Sequence, residues 1–527
     1  MSEIINPILR GFHPDASVIK VGTKYYLTVS TFEWIPGVDI YQSEDLVNWK
    51  YVSSPLKDGK QIHLKGNPAS GSIWAPHLSY SNGKFYLVFT DVRTRNPIKD
   101  TLNFLIWTDD LSKEWSNPIF LNASGFDPSL FHDDDGSHYL INMLYDYRVD
   151  YQTFAGLVIQ EIDLEEFRLI GERRLFFKGT SLGVCEGPQL MKKDGYYYLL
   201  SAAGGTGYSH AAVVCKSTTL FGDYELSPYT PLLSTKNDLL NPIQKAGHAS
   251  FIEINNQWYI VHIMARPLTL PKGNCPLGRE TGIQKIEWIN GWPRLVNKTL
   301  KPEITVEKPF GLEEIAQRRD YSENIDFKNC TLPDTFKMLR EDCSKELMFD
   351  SNKGTLRMYG RESLNSLHHQ VLLARRWQHF HFVASTKLEF YPKNFQQTAG
   401  LVLYYDSENW QYLLMSYDEN VKKNYLQVLI CENNQLKNQS ELVFIENNIP
   451  LLRVIVNYDK AQFQYSVDNL NWYNIGVETD ADHLSDDYIR SFGKLPFTGA
   501  MVGICAQDLD CHQSFAEYYY FDYKEIH

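Results

Sequence analysis

The sequence is poor in the features that commit a chain to several common classes. Cysteine is sparse, eight in 527 residues, and Cys185, Cys215, Cys275, Cys330, Cys343, Cys431, Cys505 and Cys511 show no two-residue spacing of a zinc site or redox pair. They read as reduced thiols. No stretch approaches the 18 or so unbroken apolar residues of a membrane span. Positive charge is short as well: 51 Lys plus Arg face 64 Asp plus Glu, and the net charge of −13 repels phosphate backbones and anionic bilayers. The expected partners therefore include no nucleic acid and no membrane, and a neutral or weakly charged ligand fits better. The opening residues, Met1-Ser2-Glu3-Ile4-Ile5-Asn6-Pro7, lack the basic start, apolar core and cleavage site of a leader, which places the expected location in the cytoplasm. Helical periodicity is scarce.

Aromatic residues, by contrast, are plentiful: 33 Tyr, 28 Phe and 11 Trp, or 14% of the chain, a bias toward strands because flat side chains fit a pleated surface. Short alternating runs between turn signals recur throughout, as in Lys24-Tyr25-Tyr26-Leu27-Thr28-Val29-Ser30. An all-β protein is expected. One unit recurs about five times in the first three hundred residues, at roughly the 50-residue spacing of propeller blades. Each unit opens on a polar residue and a short apolar strand, and a turn and an aromatic-rich second strand follow. The openings are Asp15-Ala16-Ser17, His77-Leu78-Ser79, Asp127-Pro128-Ser129, Glu186-Gly187-Pro188 and His248-Ala249-Ser250. Turns such as Ser81-Asn82-Gly83 and Lys193-Asp194-Gly195 supply residues that tolerate φ > 0 between the paired strands. Five units predict a five-bladed β-propeller.

The innermost strands of a propeller run along its axis, so one repeat position from every blade converges on one spot. Here that position reads Asp15, His77, Asp127, Glu186 and His248. Acidic residues at strand starts can serve turn backbones alone, but three carboxylates and two histidines at one axial mouth are costly to desolvate without a purpose. Two carboxylates flanking a bond are the machinery of glycoside hydrolysis, and a third can hold the acid protonated. Asp, Glu and His are also metal ligands, so an axial calcium ion stays open, although acid and base chemistry on carboxylates requires no cofactor.

The segments Asn6-Pro7-Ile8-Leu9-Arg10-Gly11-Phe12-His13-Pro14-Asp15 and Ser30-Thr31-Phe32-Glu33-Trp34-Ile35-Pro36-Gly37-Val38 closely resemble the start of glycoside hydrolase family 43 β-xylosidases. Gly71-Ser72-Ile73-Trp74-Ala75-Pro76, Gly125-Phe126-Asp127, Glu186-Gly187-Pro188, Gly247-His248-Ala249-Ser250 and Cys275-Pro276-Leu277-Gly278-Arg279-Glu280-Thr281 follow in the same order. The resemblance implies an inverting hydrolase with Asp15 as general base, Glu186 as general acid and Asp127 as the residue that tunes the acid and orients the sugar. It also implies that Arg279 binds sugar hydroxyls, that Phe32 and Trp74 wall the pocket and that His248 lies near the axis. Taken alone, Arg279 reads as a surface ion pair and Phe32 and Trp74 as core residues; only the motif context reverses this. His13, Ala16, Cys185 and Gln189 stand where Asn, Pro, Thr and His are common in such enzymes, and the segment between Arg266-Pro267 and Cys275 is short. None of these departures removes a carboxylate.

Residues 301–324, with Pro302, Pro309 and several charges, lack the blade repeat and read as a linker between a propeller over 1–300 and a second domain over 325–527. Strand-like runs from Thr386 to Phe521 predict an antiparallel β-sandwich there. By itself such a domain is a sugar-binding module, a brace or an oligomerisation surface. The resemblance implies instead a sandwich packed on the propeller, with Phe497 of Pro496-Phe497-Thr498-Gly499-Ala500 at the active-site mouth. The expectation is an exo-acting β-xylosidase on xylo-oligosaccharides, assembled as a homo-oligomer. Its rivals are an α-L-arabinofuranosidase on the same scaffold and a non-catalytic sugar-binding propeller.

Overall fold

Alternating apolar runs closed by φ-tolerant turns fold as antiparallel hairpins, and each blade is built on four such strands, with a short fifth, Leu233–Ser234, added to the fourth blade. In the computed structural model, which describes residues 3–526 except 58, 60, 319 and 447, the five sequence units form five separate sheets with their strands paired in chain order. Blade I comprises Ser17–Val21, Lys24–Val29, Asp39–Ser43 and Lys50–Ser53; blade II runs from Ser72–Ser81 to Ile119–Asn122. Blade III runs from Ser129–His132 to Arg168–Phe177, blade IV from Cys185–Lys193 to Glu225–Leu226, and blade V from Gln244–Ile254 to Trp292–Leu295. Because every blade is one continuous stretch of chain, the ring must be closed by other means. Glu3–Ile5 pairs with Thr305–Glu307, and the Asn6 side chain both donates to the Ile283 carbonyl and accepts from its N–H, each at 2.8 Å. The stretch 301–324 has no blade repeat, yet it is fastened down: the Gln317 amide bonds both backbone groups of Ile5, and Asn48 binds the backbone of Ala316 and Arg318.

The C-terminal domain is a two-sheet sandwich. One sheet centres on Phe515–Glu525, His381–Phe390 and Leu451–Asn457; the other on Val371–Arg376, Met501–Asp508, Gln397–Asp406 and Asn409–Asp418. Burial along the strands tells how the sheets are used. His381–Phe390 alternates buried and half-buried positions, the pattern of a sheet with one covered face. Gln397–Asp406 is buried nearly throughout. Its Leu401, Leu403 and Tyr405 point into the sandwich core, while Val402 and Tyr404 join an apolar cluster that contains Phe12, Phe32, Trp34 and Trp74 of the propeller. The second sheet is thus covered on both faces, and the two domains share a hydrophobic core. Met338–Leu339 pairs with Trp34–Ile35 across the same seam, where Lys337 and Arg376 both meet the buried Asp39 carboxylate. No helix among the described residues is long and apolar enough to cross a membrane, and the α-helix Asp486–Arg490 has five residues.

Candidate active site

The carboxylates owe their position to a distortion that recurs at the head of the inner strands. Asp15, Ala75, Asp127, Gly187 and His248 all have left-handed backbone, with φ of 59°, 39°, 55°, 57° and 43°. The ladder slips at this point in blades II, IV and V, between Trp74 and His77, between Glu186 and Gln189, and between Gly247 and Ala249. Such bulges leave a residue unpaired and re-aim its side chain. They also correct the alignment of the repeat. Ala75, not His77, is the blade II counterpart of Asp15, and Glu186 stands one residue ahead of its own, Gly187. His77 therefore lies deeper, in a void of only about 10 Å³ on the axis, whereas the substrate-sized cavity of about 290 Å³ is lined by Asp15, Asp127, Glu186 and His248.

Similar surroundings give these carboxylates different charge states. Burial alone pushes the Asp15 carboxyl up, but the Arg279 guanidinium at 2.9 Å, His248 and the Ser30 hydroxyl at 2.6 Å offset it and hold the group below its ordinary value. Ser30 is itself fixed, since its Oγ accepts from the Ala75 N–H at 2.7 Å. Asp15 is thus an ionised carboxylate with little freedom to move. Asp127, which accepts from the Gly187 N–H at 2.9 Å, is raised well above the ordinary range by burial, then by the charges of Glu186 and Asp15. Glu186 is pushed up to about 7, by burial first and by Asp15, against the lowering influence of Lys99 and Arg279. Asp127 and Glu186 therefore titrate as a pair that holds a proton near neutrality. One carboxylate held ionised faces a carboxyl that keeps its proton.

The other residues expected at the site also lie in the cavity wall. Phe32, Trp74 and Phe497 pack as a trio, with ring centres 6.3 Å apart for Phe32 and Phe497 and 5.3 Å for Trp74 and Phe497. Arg279 is only 2% exposed, so it is not a surface ion pair; besides Asp15 it donates to the Phe497 carbonyl at 3.2 Å. This bond, with that of the Phe497 N–H to Ser70 Oγ at 3.0 Å, brings a sandwich loop to the propeller mouth. His248 Nδ1 is 3.5 Å from Asp15, and burial keeps its pKa below normal. Asp15 is engaged by Ser30 and Arg279, Asp127 by Gly187, and His77 Nδ1 accepts from the Leu130 N–H at 3.3 Å, which leaves the proton on its other nitrogen. Sequence reasoning missed Lys99, Phe126, Thr206 and Arg490 in the same wall. Lys99, Thr206 and Arg490 sit in loops and in the short helix, outside any repeated position, so no spacing marks them; Phe126 directly precedes Asp127, the position that Trp74 and Glu186 hold in their blades.

Comparison with known proteins accounts for the whole chain. The profile described as Glycosyl hydrolases family 43 matches residues 4–293, and that described as Beta xylosidase C-terminal Concanavalin A-like domain matches residues 324–524. The chain is 44% identical over 536 residues to a protein named Beta-xylosidase from Bacillus subtilis strain 168, with 99% of this chain and 100% of that protein covered. It is 38% identical over 539 residues to Xylosidase/arabinosidase 43B from Humicola insolens, covering 100% of this chain and 98% of the relative. The crystal structure of xylan beta-1,4-xylosidase from Bacillus halodurans C-125 superposes with a TM-score of 0.95 at 41% identity, over 99% of this chain and 100% of that one.

Proposed function

The chain belongs to family 43 of the glycosyl hydrolases, and from that membership we propose that it is an inverting exo-β-1,4-xylosidase releasing xylose from the non-reducing ends of xylo-oligosaccharides. The observation that carries this reading is the pairing, in one cavity, of a carboxylate held ionised with a carboxyl held protonated up to about pH 7. Glu186 gives its proton to the glycosidic oxygen as the C1–O bond breaks, and the bonding electrons leave with the departing sugar. Asp15 takes a proton from the water that adds to C1 on the opposite face, so the anomeric configuration inverts. Asp127 orients the sugar and keeps the acid charged with its proton. The reaction runs on these groups without a cofactor. Exo cleavage follows from the blind end of the pocket, since an axial void of about 10 Å³ has room for about one water and not for a sugar chain. Phe32, Trp74 and Phe497 exclude water from the first sugar, which strengthens the electrostatics around it.

Product analysis on xylobiose tests the reading: xylose as the product supports it, and binding without turnover would return the protein to a sugar-binding propeller. A second reading, α-L-arabinofuranosidase activity in the same pocket, is favoured by the similarity to a relative named for both sugars. Nitrophenyl xyloside and arabinofuranoside assayed side by side separate the two. We further propose a cytoplasmic, reducing setting, supported by eight free cysteines of which six are buried, and a homo-oligomeric assembly.

A further inference from the structure

Two of the cations around the cavity are already engaged. Arg279 serves Asp15 and the Phe497 carbonyl, and Arg95 donates to the carbonyls of Ala69 and Leu495. Lys99 differs. It lies in the bend between Lys84–Thr94 and Asp100–Thr108 of blade II, half-buried, and it lines the substrate cavity. Its ammonium is held over two rings, 4.7 Å from the centre of Tyr145 and 5.5 Å from that of Phe126. Among the described residues no carboxylate is within ion-pair distance of it; Glu186 and Asp127 act on it through space, as does Arg95 with the opposite sign. The aromatic faces supply a weak, direction-setting attraction. A cation so placed is positioned without being neutralised.

The proposed reaction moves negative charge across the pocket. Before it, Asp15 is anionic beside Arg279 and Glu186 is neutral. After it, Asp15 holds the proton taken from water, and Glu186, having lost its own to the departing oxygen, is anionic. Arg279 is bonded to the end of the pocket from which charge leaves. On the strength of that hydrolytic reading, we propose that Lys99 is the positioning residue for the other end, acting through Glu186 by receiving the negative charge that appears there as the proton is given up. The charged or titratable groups that face Glu186 are Asp15 and Asp127 from the heads of blades I and III, Lys99 from blade II and Arg279 from blade V, with His248 and Arg490 also in the wall. Of the cations, Lys99 opposes burial of Glu186 most strongly. Preorganised charge aimed at a group that ionises during reaction stabilises the transition state with no reorganisation at that moment.

The test compares full-length wild type with Lys99→Met, Lys99→Gln and Lys99→Arg on xylobiose, whose leaving group needs a proton, and on nitrophenyl xyloside, whose leaving group barely does. Removing the cation is expected to move the alkaline limb of kcat/KM upward by about 1 pH unit in the Met and Gln variants. Their kcat on xylobiose should fall ~10-fold, with a loss at least about five-fold smaller on the nitrophenyl substrate, and Lys99→Arg should restore most of both. An unmoved or lowered alkaline limb in both neutral variants, or equal losses on the two substrates, would overturn the assignment while leaving the hydrolase reading intact. A wild-type protein that turns over neither substrate would overturn the hydrolase reading, and this inference with it.

Discussion

Asp15 and Asp127 occupy the same position in two blades, share the same left-handed backbone and are both buried, yet one is held ionised and the other shares a proton with Glu186. What faces them decides. Asp15 has Arg279 and a hydroxyl donor on its oxygens; Asp127 has one backbone N–H and looks at two other carboxylates. The pairing predicts the sign of one substitution. In Asp127→Asn the charge that opposes ionisation of Glu186 is gone, so the alkaline limb of the pH–rate profile should move to lower pH, opposite to the shift expected for loss of Lys99, besides a fall in rate. An alkaline limb that stays in place would mean that Asp127 only orients the sugar. At this scale the carboxylates were legible because chemistry-bearing residues stood at one repeat position against a background of apolar strands. The register was legible only to within a residue or two, since a bulge adds unpaired residues that leave no mark in the hydrophobic alternation, so the alternation alone sets His77 beside Asp15 where Ala75 belongs. Lys99 was not legible at all. Its role depends on which rings and which carboxylate the fold brings beside a turn.

The decisive element is the loop that carries Phe497. It approaches the propeller so closely that two glycines meet: a Cβ on Gly278 would lie 2.8 Å from the Gly499 Cα, and one on Gly499 would lie 2.9 Å from the Phe12 Cβ and 3.0 Å from the Leu277 carbonyl. Gly278 also has φ of +69°, so it serves both the turn and the close approach. The contact holds Phe497 over the cavity, its ring perpendicular to that of Trp74 and its centre 4.8 Å from the Arg95 guanidinium. Read without its motif, Phe497 is one more sandwich core residue; in place it is half-buried and lines the pocket. Phe497→Ala should accordingly raise KM for xylobiose by ~10-fold or more, the loss of an aromatic wall, with little change in the thermal unfolding temperature. A variant that melts markedly earlier with KM unchanged would return the residue to the core. Strand existence and pairing were legible from alternation and turns. That one sandwich sheet is covered on both faces was written in the unbroken burial-prone run Leu401-Val402-Leu403-Tyr404-Tyr405, but what covers its outer face is a matter of tertiary contact and not of period.

Over the whole molecule, propeller and sandwich form a single apolar seam with one active site, not an enzyme with an appended module. Trp34 and Tyr404, one from each domain, are almost fully buried and meet edge to face at 5.8 Å, and the buried Asp39 of blade I takes both its cations from the sandwich side. Truncation just before Asn324 would expose that apolar seam, Trp34 included, to water and take Lys337 and Arg376 from the Asp39 carboxylate. The truncated chain is expected to lose activity and to aggregate or unfold, as assayed by turnover and by size-exclusion chromatography; a soluble, fully active propeller would refute the shared site. The two-domain organisation was legible because the blade repeat stops and a new strand spacing starts, whereas the fastening of residues 305–318 along the propeller was not, because single side-chain bonds such as those of Gln317 and Asn48 carry no pattern. The central claim, one water added at C1 between an ionised Asp15 and a protonated Glu186, is tested most directly by proton NMR of the first xylose released from xylobiose. The α-anomer should appear first and then mutarotate; initial β-xylose would contradict the account and require a covalent intermediate on a different carboxylate.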